Sequence, residues 1–347
     1  MGTAEPLVVG VDGGGTSTRC LVATLSGEIV ARGRAGGANP RSARDPGGNL
    51  TRALGEALFR LGPGFDPHDV AGGVFGLAGA SAAGRERALA LAAAAWRAAA
   101  LPGLPVVVPD ILVAFTGATP YPSGSVMIAG TGAVAARIAD RLIVRRCDGY
   151  GWLLGDEGSG VWIGRQAARA ALAALDGRGP PTVLADRVLP ALAVGRPAPE
   201  EDGAAPPAGE ARAQAIVAAV YDGEPARLGT LSPLVEACAR EGDRVALTIL
   251  DDAARLLVRT LDTVSAAGPA LPVVLAGSLL TRPTLVAERV REALIGRPVV
   301  LARDGAAGAA ALALRAAAVS AGHATAGAET EAAHRRLLAA GDAPGEA

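Results

Sequence analysis

The chain has 347 residues, of which half are apolar and only 3% are aromatic. This length allows two domains of ordinary size, with cores built mainly from Ala, Val and Leu. The formal net charge is −1, and the sequence has no basic run suited to a phosphate backbone, which excludes nucleic acid from the expected partners. We recognise no signal peptide and no apolar span of about 20 residues, so we expect a cytoplasmic protein that does not enter a membrane.

The scarcity of lysine, histidine and cysteine excludes several kinds of catalytic site. The chain contains no lysine, so all 33 basic residues are arginines. A Walker lysine and a Schiff-base lysine are therefore excluded. The three histidines show no paired spacing that would suit zinc or a Ser-His-Asp triad. The three cysteines are odd in number and far apart, which predicts reduced thiols.

Residues 7–25 predict a strand, a tight turn and a second strand. The turn is formed by Gly13, Gly14, Gly15 and Thr16. Glycines leave room for backbone N–H groups to surround an anion such as a phosphate. Asp12 precedes the turn and would lie beside those phosphates, where it could hold magnesium. A glycine-rich hairpin without a ligand is an equally open interpretation at this point.

Two loops of the first half are candidate ligand contacts. A third strand at 29–33 would complete an antiparallel meander, and a helix at 46–61 and a buried strand at 70–77 follow. Asn39 lies in the loop after the meander, where its amide could bind a hydroxylated ligand or be a plain loop residue. Ser81 ends a run of small residues that would let the main chain approach a ligand.

Asp110 follows the apolar strand 106–108 and precedes a helix at 111–117. As a structural residue it would cap that helix, because its carboxylate can accept the unpaired helix N–H groups. As a functional residue it would face a ligand crevice, where the strand tips of an α/β sheet point. With an ordinary pKa of about 3.9, its carboxylate would be ionised at neutral pH.

The second half repeats the pattern of strand, glycine turn and strand. Apolar strands at 126–128 and 134–138 enclose Gly130, Thr131 and Gly132. Two such hairpins in one chain indicate an internal duplication. If the two halves face each other, a nucleotide phosphate tail could be held between the turns.

Residues 148–160 combine glycines and carboxylates with Tyr150 and Trp152. Asp156 would lie near the N-terminus of a helix at 161–175, where a carboxylate is favoured by the helix dipole. That explanation does not account for the aromatic side chains, which are typical of a small-molecule pocket.

The rest of the chain is predicted to be mainly helical. Helices are expected at 180–194, 210–221, 233–241, 244–267 and 305–317. A buried strand at 272–276 ends in Gly277 and Ser278, where a nucleoside could lie against bare backbone, and Gly229 lies in a short turn. A last strand is expected at 299–301, and the residues beyond about 320 are expected to form a frayed tail.

With these motifs in place, the chain resembles the sugar kinase/heat-shock ATPase/actin superfamily, and within it the BadF-type ATPases that include N-acetylglucosamine kinase. The resemblance covers residues 7–317. It rests on VGVDGGGTST, PDILVAF, AGTGA and GYGWLLGDEGSG, supported by AGSLL. It implies an α/β fold with two ribonuclease-H-like domains and an interdomain cleft.

The resemblance also implies domain bounds. We expect a first domain at 1–117, joined by the helix 305–320, a second domain at 118–304, and a flexible tail at 321–347. ATP and Mg²⁺ are the implied cofactors. The expected partner is a small-molecule sugar, and a homodimer is left open.

The same match assigns roles to single residues. Asp110 would be the general base and Asp12 would support the metal. The implied phosphate and adenosine contacts are Gly13, Gly14, Gly15, Thr16, Gly130, Thr131, Gly132, Gly229, Gly277 and Ser278. The implied sugar contacts are Asn39, Ser81, Asp110, Gly149, Tyr150, Gly151 and Asp156. The predicted function is transfer of phosphate to the 6-hydroxyl of N-acetylglucosamine or glucosamine.

Tyr150 stands where related N-acetylglucosamine kinases often carry tryptophan, which leaves the acceptor sugar open. Two other classes are alternatives. An ATPase activator with a shared iron–sulfur cluster would need a cysteine where this chain has Met127. A sugar-binding protein that has lost catalysis would not need to keep both Asp12 and Asp110.

Overall fold

The computed structural model describes most of the chain. The described residues are 5–40, 43–80, 84–193, 208–265, 271–320 and 327–340. Ser81, a predicted sugar contact, lies outside them. None of the helices in these ranges combines the length and the apolar character needed to cross a bilayer.

Ten strands and twelve helices are described. The strands are β1 (Leu7–Gly13), β2 (Ser17–Thr24), β3 (Ile29–Gly36), β4 (Val70–Leu77), β5 (Val106–Pro109), β6 (Gly124–Ala129), β7 (Ala133–Ala139), β8 (Leu142–Asp148), β9 (Val273–Ala276) and β10 (Val299–Leu301). The helices are α1 (Pro46–Phe59), α2 (Arg85–Ala98), α3 (Asp110–Thr116), α4 (Gly160–Leu175), α5 (Leu184–Ala193), α6 (Ala208–Tyr221), α7 (Ser232–Arg240), α8 (Arg244–Val264), α9 (Ser278–Thr281), α10 (Leu285–Ala293), α11 (Gly305–Ser320) and α12 (Ala328–Ala340).

The first sheet has five strands in the order β3-β2-β1-β4-β5. β1, β2 and β3 form the predicted antiparallel meander, whereas β4 and β5 run parallel to β1. The apolar side chains of β1 are fully buried, because clusters of apolar residues cover both faces of the sheet. The sequence of β1 is therefore continuously apolar up to Asp12.

The second sheet repeats this topology. Its order is β10-β9-β6-β7-β8, with β6, β7 and β8 antiparallel and β9 and β10 parallel to β6. Each sheet thus begins with a meander that contains a glycine turn, followed by two parallel strands. The α/β fold class with two ribonuclease-H-like sheets is confirmed.

Helix α11 follows the second sheet in the chain but packs on the first. A Cβ atom at Gly10 of β1 would overlap the carbonyl oxygen of Ala306 and the backbone nitrogen of Ala310. Glycine at position 10 therefore permits the close approach of helix and sheet. The packing places α11 with the first sheet, while the domain bounds at 117 and 304 stay a prediction.

Helix α3 lies between the two sheets. Its side chains Ile111 and Phe115 pack with Val126 and Val274 of the second sheet. The same helix contacts β4, β5 and α11. We call the first sheet with the helices packed on it the first lobe, and the second sheet with its helices the second lobe. Because α3 begins at Asp110, this carboxylate lies on a helix that packs against both sheets.

Some elements in the described residues were not predicted, among them β8 and α10. β8 is an edge strand whose side chains are mostly exposed, so it lacks the apolar alternation that would indicate a strand. α10 packs against α8. The duplication itself was the missed signal for β8, since the first meander has three strands.

The predicted flexible tail needs a correction. Residues 328–340 form α12, which buries Ala333, His334 and Leu337. Because Ala333 is small and His334 is polar, composition alone does not indicate an apolar helix face here. Their spacing of one and four residues is nevertheless that of a single helical face.

Candidate active site

The first glycine turn joins β1 to β2. The Gly14 N–H donates to the Ser17 carbonyl at 2.9 Å and closes the turn. The N–H groups of Ala38 and Asn39 donate to the Gly14 carbonyl at 2.9 and 3.1 Å. The loop of the predicted sugar contact Asn39 is thus tied to the predicted phosphate turn.

The side chain of Asn39 faces a second small-residue loop. A Cβ atom at Gly79 would lie 3.4 Å from Asn39 Oδ1. Gly79 itself has a φ of +80°, a region that favours glycine. Since Ser81 is outside the described residues, the structure places only Asn39 of this predicted pair.

Three acids of the first lobe come together at the carboxyl ends of the strands. Asp12 is the last residue but one of β1, Asp110 begins α3 and Asp304 precedes α11. The pKa of Asp12 is raised to about 7, mainly by burial and then by the charges of Asp110 and Asp304, while Arg19 acts in the opposite direction. The Asp12 carboxylate contacts Gly305, where a Cβ atom would overlap it.

Asp110 is the first residue of α3, and Pro109 holds the cap position. Its Oδ1 accepts a hydrogen bond from the Ile111 N–H at 3.0 Å, and no side chain caps the helix. Asp110 therefore does not occupy the cap position, although its carboxylate accepts one of the unpaired N–H groups of the helix.

The pKa of Asp110 also differs from the sequence-based expectation. Burial raises this pKa above the ordinary value, while the Ile111 N–H and the charge of Arg146 lower it. Arg146 belongs to β8 of the second sheet. A group of the second lobe therefore acts on a carboxylate of the first lobe, which places Asp110 at the boundary between them.

The second glycine turn joins β6 to β7 and supports helix α4. The Gly130 N–H donates to the Gly132 carbonyl at 2.9 Å. The first N–H groups of the helix donate back to the turn, from Gly160 to Gly130 at 2.8 Å and from Val161 to Thr131 at 3.3 Å. The turn and the positive end of a helix therefore lie at one place, which suits an anion.

The predicted adenosine contacts surround this second turn. A Cβ atom at Gly130 would lie 3.9 Å from both the backbone nitrogen and the Oγ of Ser278. A Cβ atom at Gly160 would lie 3.8 Å from the Gly229 Cα. Gly277 has a φ of +85°, and a Cβ there would overlap the Ala129 carbonyl. These residues form one continuous surface of bare backbone.

Asp156 links the 149–158 loop to the same turn. Burial raises the pKa of its carboxylate, while the nearby N–H groups of Ala133 and Gly151 lower it. A Cβ atom at Gly132 would lie 2.9 Å from Asp156 Oδ2. The loop and the turn are thus in direct contact.

The aromatic side chains of this loop are not enclosed, although Tyr150 lines an open cavity beside the loop. The Tyr150 side chain is 70% exposed and that of Trp152 is 41% exposed. Gly149 and Gly151 have φ values of +76° and +90°, which bend the loop sharply at both sides of Tyr150. The loop presents Asp156 towards the turn and its apolar side chains towards solvent.

Sequence reasoning missed two acids that shape this region. Asp148 ends β8 and accepts hydrogen bonds from the loop that follows it. It was overlooked because β8 itself was not predicted. Asp304 caps α11 by accepting from Ala306 N–H at 3.0 Å, and it pairs with Arg32 at 2.6 Å. An acid directly before a helix was the available signal for Asp304.

Magnesium is implied by the resemblance, and the acids of the first lobe fit it. In the described ranges no cluster of three or more His, Cys, Asp or Glu side chains is arranged to hold a metal alone. Mg²⁺ commonly uses only one or two carboxylates, together with water and substrate phosphates. A cation beside Asp12 would offset the repulsion from Asp110 and Asp304 that raises its pKa.

Comparison with known families identifies the chain. A family model described as the BadF/BadG/BcrA/BcrD ATPase family matches residues 9–313. The chain belongs to this ATPase family. The matched region contains every predicted site residue, and membership implies the use of ATP. The three cysteines of this family member, Cys20, Cys147 and Cys238, are free thiols.

Relatives in this family give the comparison more detail. The N-acetylmuramic acid/N-acetylglucosamine kinase of Clostridium acetobutylicum is 30% identical over 184 residues, 52% of this chain and 58% of that protein. The N-acetyl-D-glucosamine kinase of Dictyostelium discoideum is 33% identical over 144 residues, 41% of this chain and 40% of that protein. The matches thus span about half the length of these curated relatives.

A solved structure is similar over nearly the whole chain. The structure of a candidate N-acetylglucosamine kinase from Chromobacterium violaceum has a TM-score of 0.66 and 26% identity. The superposition covers 90% of this chain and 100% of that one. The two-sheet fold is therefore shared along its length.

Proposed function

We propose that the protein is an ATP-dependent kinase that phosphorylates the 6-hydroxyl of an amino sugar, N-acetylglucosamine or glucosamine. One observation carries the proposal. Asp110 begins α3, which packs against both sheets, and its charge acts on Asp12 of the first sheet while the charge of Arg146 of the second sheet acts on it. A phosphoryl donor and a sugar can meet at such a boundary. The domain bounds 1–117 with 305–320, and 118–304, belong to the same proposal.

The two glycine turns would hold the phosphates. Turns with exposed N–H groups bind anions without a lysine, so the absence of lysine does not weaken the proposal. ATP supplies the phosphoryl group, and Mg²⁺ held by Asp12 would neutralise its charge. The surface formed by Gly130, Gly229, Gly277 and Ser278 would receive the adenosine.

Asp110 would act as the general base. It would take the proton of the 6-hydroxyl while the sugar oxygen forms a bond to the γ-phosphorus of ATP. The bond from that phosphorus to the β–γ bridging oxygen breaks at the same time. The products are ADP and the sugar phosphate. Burial raises its pKa above the ordinary value, which makes it a stronger proton acceptor than an ordinary carboxylate. Asn39, Asp156 and the 149–151 backbone would hold the sugar.

The names of the curated relatives support an amino-sugar acceptor. The activator alternative has less support, because the buried Met127 of β6 occupies the position where a cluster ligand is needed. The kinase and the non-catalytic sugar-binding protein differ in whether Asp110 acts as a base, and the Asp110→Asn variant tests this.

The experiment supplies ATP and Mg²⁺ with a panel of N-acetylglucosamine, glucosamine, N-acetylmuramic acid and glucose. We expect ADP release only when a hexosamine is present, and NMR of the product should locate the phosphate on O6. Equal ADP release without sugar would contradict the proposal.

Replacing the proposed base tests the mechanism. We expect Asp110→Asn to lower kcat by about 10²- to 10⁴-fold, because the amide cannot accept the proton, while sugar affinity by calorimetry stays within about twofold. Asp140→Asn is the matched control, since Asp140 is an exposed turn residue outside the site. Full activity of Asp110→Asn would remove Asp110 from the mechanism.

A further inference from the structure

The 149–157 loop, which follows β8, is held by little packing. Tyr150, Leu153 and Leu154 are exposed by 70%, 68% and 81%. An open cavity of about 230 Å³ lies beside the loop and is lined among others by Tyr150, Leu154 and Thr260. Because the apolar side chains of the loop face solvent or this cavity, apolar contacts contribute little to its position.

The Asp148 carboxylate holds the loop through hydrogen bonds to its backbone. Its Oδ1 accepts hydrogen bonds from the N–H groups of Gly149 and Asp156, both at 2.7 Å. Its Oδ2 accepts from the Glu157 N–H at 2.9 Å. One carboxylate therefore joins the first residue of the loop to its last two residues and closes the loop into a ring.

These bonds are of a strong kind. Asp148 is only 8% exposed, so its hydrogen bonds to backbone N–H groups face little competition from water. Other polar anchors of the loop are Arg146 to the Gly149 carbonyl at 3.2 Å, Arg165 to the Trp152 carbonyl at 2.8 Å, and the ion pair of Glu157 with Arg259 at 2.8 Å. These come from side chains at the surface, where such bonds contribute little, so the buried carboxylate of Asp148 is the strongest of these restraints.

The restraint reaches the proposed sugar site in two steps. Asp148 fixes the backbone of Asp156, which has a φ of +53°. The Asp156 carboxylate in turn lies against the second glycine turn, where a Cβ atom at Gly132 would be 2.9 Å from its Oδ2. Without the ring, the left-handed conformation of Asp156 would relax, because a residue with a Cβ rarely adopts it unaided.

We propose that Asp148 is a positioning residue that preorganises the 149–157 loop and thereby sets Asp156 and the Gly151 backbone for the acceptor sugar. It acts through the loop and does not touch the sugar. The sugar part of this inference rests on the proposed function, whereas the ordering of the loop does not.

The test compares Asp148→Asn and Asp148→Gly with the wild type. Asparagine keeps one acceptor oxygen and tolerates the φ of +64° at this position. Glycine suits that φ fully but removes every side-chain bond, so it separates the carboxylate from the backbone conformation. We expect KM for the sugar to rise about tenfold or more in both variants, with kcat and KM for ATP within about threefold.

The matched control is Asp140→Asn. Asp140 also has a positive φ, +49°, and lies in the turn before β8, but it is exposed. This control should keep both KM values within twofold of the wild type. Equal rises in both KM values for the Asp148 variants would indicate general loss of structure and would overturn the positioning role, as would two unchanged KM values.

A second readout does not depend on kinase activity. Hydrogen exchange of peptides covering 149–157 should be at least tenfold faster in ligand-free Asp148→Gly than in the wild type, and unchanged in peptides of the first sheet. If the wild type phosphorylates no hexosamine, the proposed function fails while this measurement still decides whether Asp148 orders the loop. Unchanged exchange would overturn the inference.

Discussion

Asp12 shows how one residue can be unfavourable for stability and required for function. It lies close to two other acids in a site where burial raises its pKa to about 7. The folded chain therefore holds a proton on Asp12 between pH 4 and 7 more tightly than the unfolded chain does. By linkage, the stability from this group is present at low pH and is lost as pH rises through that window.

Replacing Asp12 should separate the two roles. We expect ligand-free Asp12→Asn to be more stable than the wild type at pH 8, by about 1–3 kcal/mol, because a buried charge is removed, and to lose phosphoryl transfer. Urea unfolding at pH 5 and pH 8 measures the first effect, and the gain should shrink at pH 5. A variant less stable than the wild type at pH 8 would show that the Asp12 charge is compensated in the ligand-free fold.

At the scale of elements, α12 connects parts of the chain that are far apart in sequence. Its Glu331 carboxylate pairs with Arg315 of α11 at 2.9 Å and with Arg141 of the β7–β8 turn at 3.3 Å. The buried His334 lies with Nε2 2.8 Å from the Thr116 carbonyl at the end of α3. The helix therefore bridges the first lobe, the second lobe and the helix that carries Asp110.

His334 should be the main anchor of α12. We expect His334→Ala to lower the free energy of unfolding by about 2–4 kcal/mol at pH 7.5, because it leaves a cavity and an unpaired carbonyl. The exposed neighbouring change Arg335→Ala should stay within about 0.5 kcal/mol. Chemical denaturation checks both, and equal effects would contradict the anchoring role.

The pH dependence of this anchor has the opposite sign to that of Asp12. Burial lowers the pKa of His334 to about 4, with the nearby charges of Arg315 and Arg141 acting in the same direction. The stability from neutral His334 is therefore complete above pH 6.5 and is lost as pH falls towards 4. The stability deficit of His334→Ala should accordingly shrink between pH 7 and pH 5.

At the scale of the whole molecule, two duplicated sheets meet so that charges of one act on carboxylates of the other. Arg146 of the second sheet lowers the pKa of Asp110 in the first, and its Nη2 also donates to the Gly149 carbonyl at 3.2 Å. The relative position of the lobes thus determines how readily Asp110 ionises. Neither sheet alone contains this arrangement.

Removing this charge should change the pH profile of the reaction. In Arg146→Gln the pKa of Asp110 should rise, so the acid limb of kcat/KM should move to higher pH. Activity should fall most on the acid side of the profile and recover as the pH rises. The neighbouring exposed change Arg145→Gln is the control, and an equal loss of activity at every pH would point to a role other than electrostatics.

The local features of the site were readable from the sequence. Glycine turns at 13–16 and 130–132 follow from strand patterns and from the backbone freedom of glycine, and the strand preceding Asp110 follows from its apolar run. These are properties of a few consecutive residues. The repetition of the pattern was enough to predict two similar sheets, and family membership agrees.

Other features depended on which residues meet in space. The ring closed by Asp148, the Arg32–Asp304 pair and the docking of α12 join residues that sequence order separates. The raised pKa of Asp110 and the exposure of Tyr150 likewise depend on burial, which a strand pattern cannot supply. The sequence by itself determined the turns and the sheets, because these follow from local backbone chemistry. Only the tertiary structure decided charge, burial and loop restraint, because these depend on the packing of distant segments.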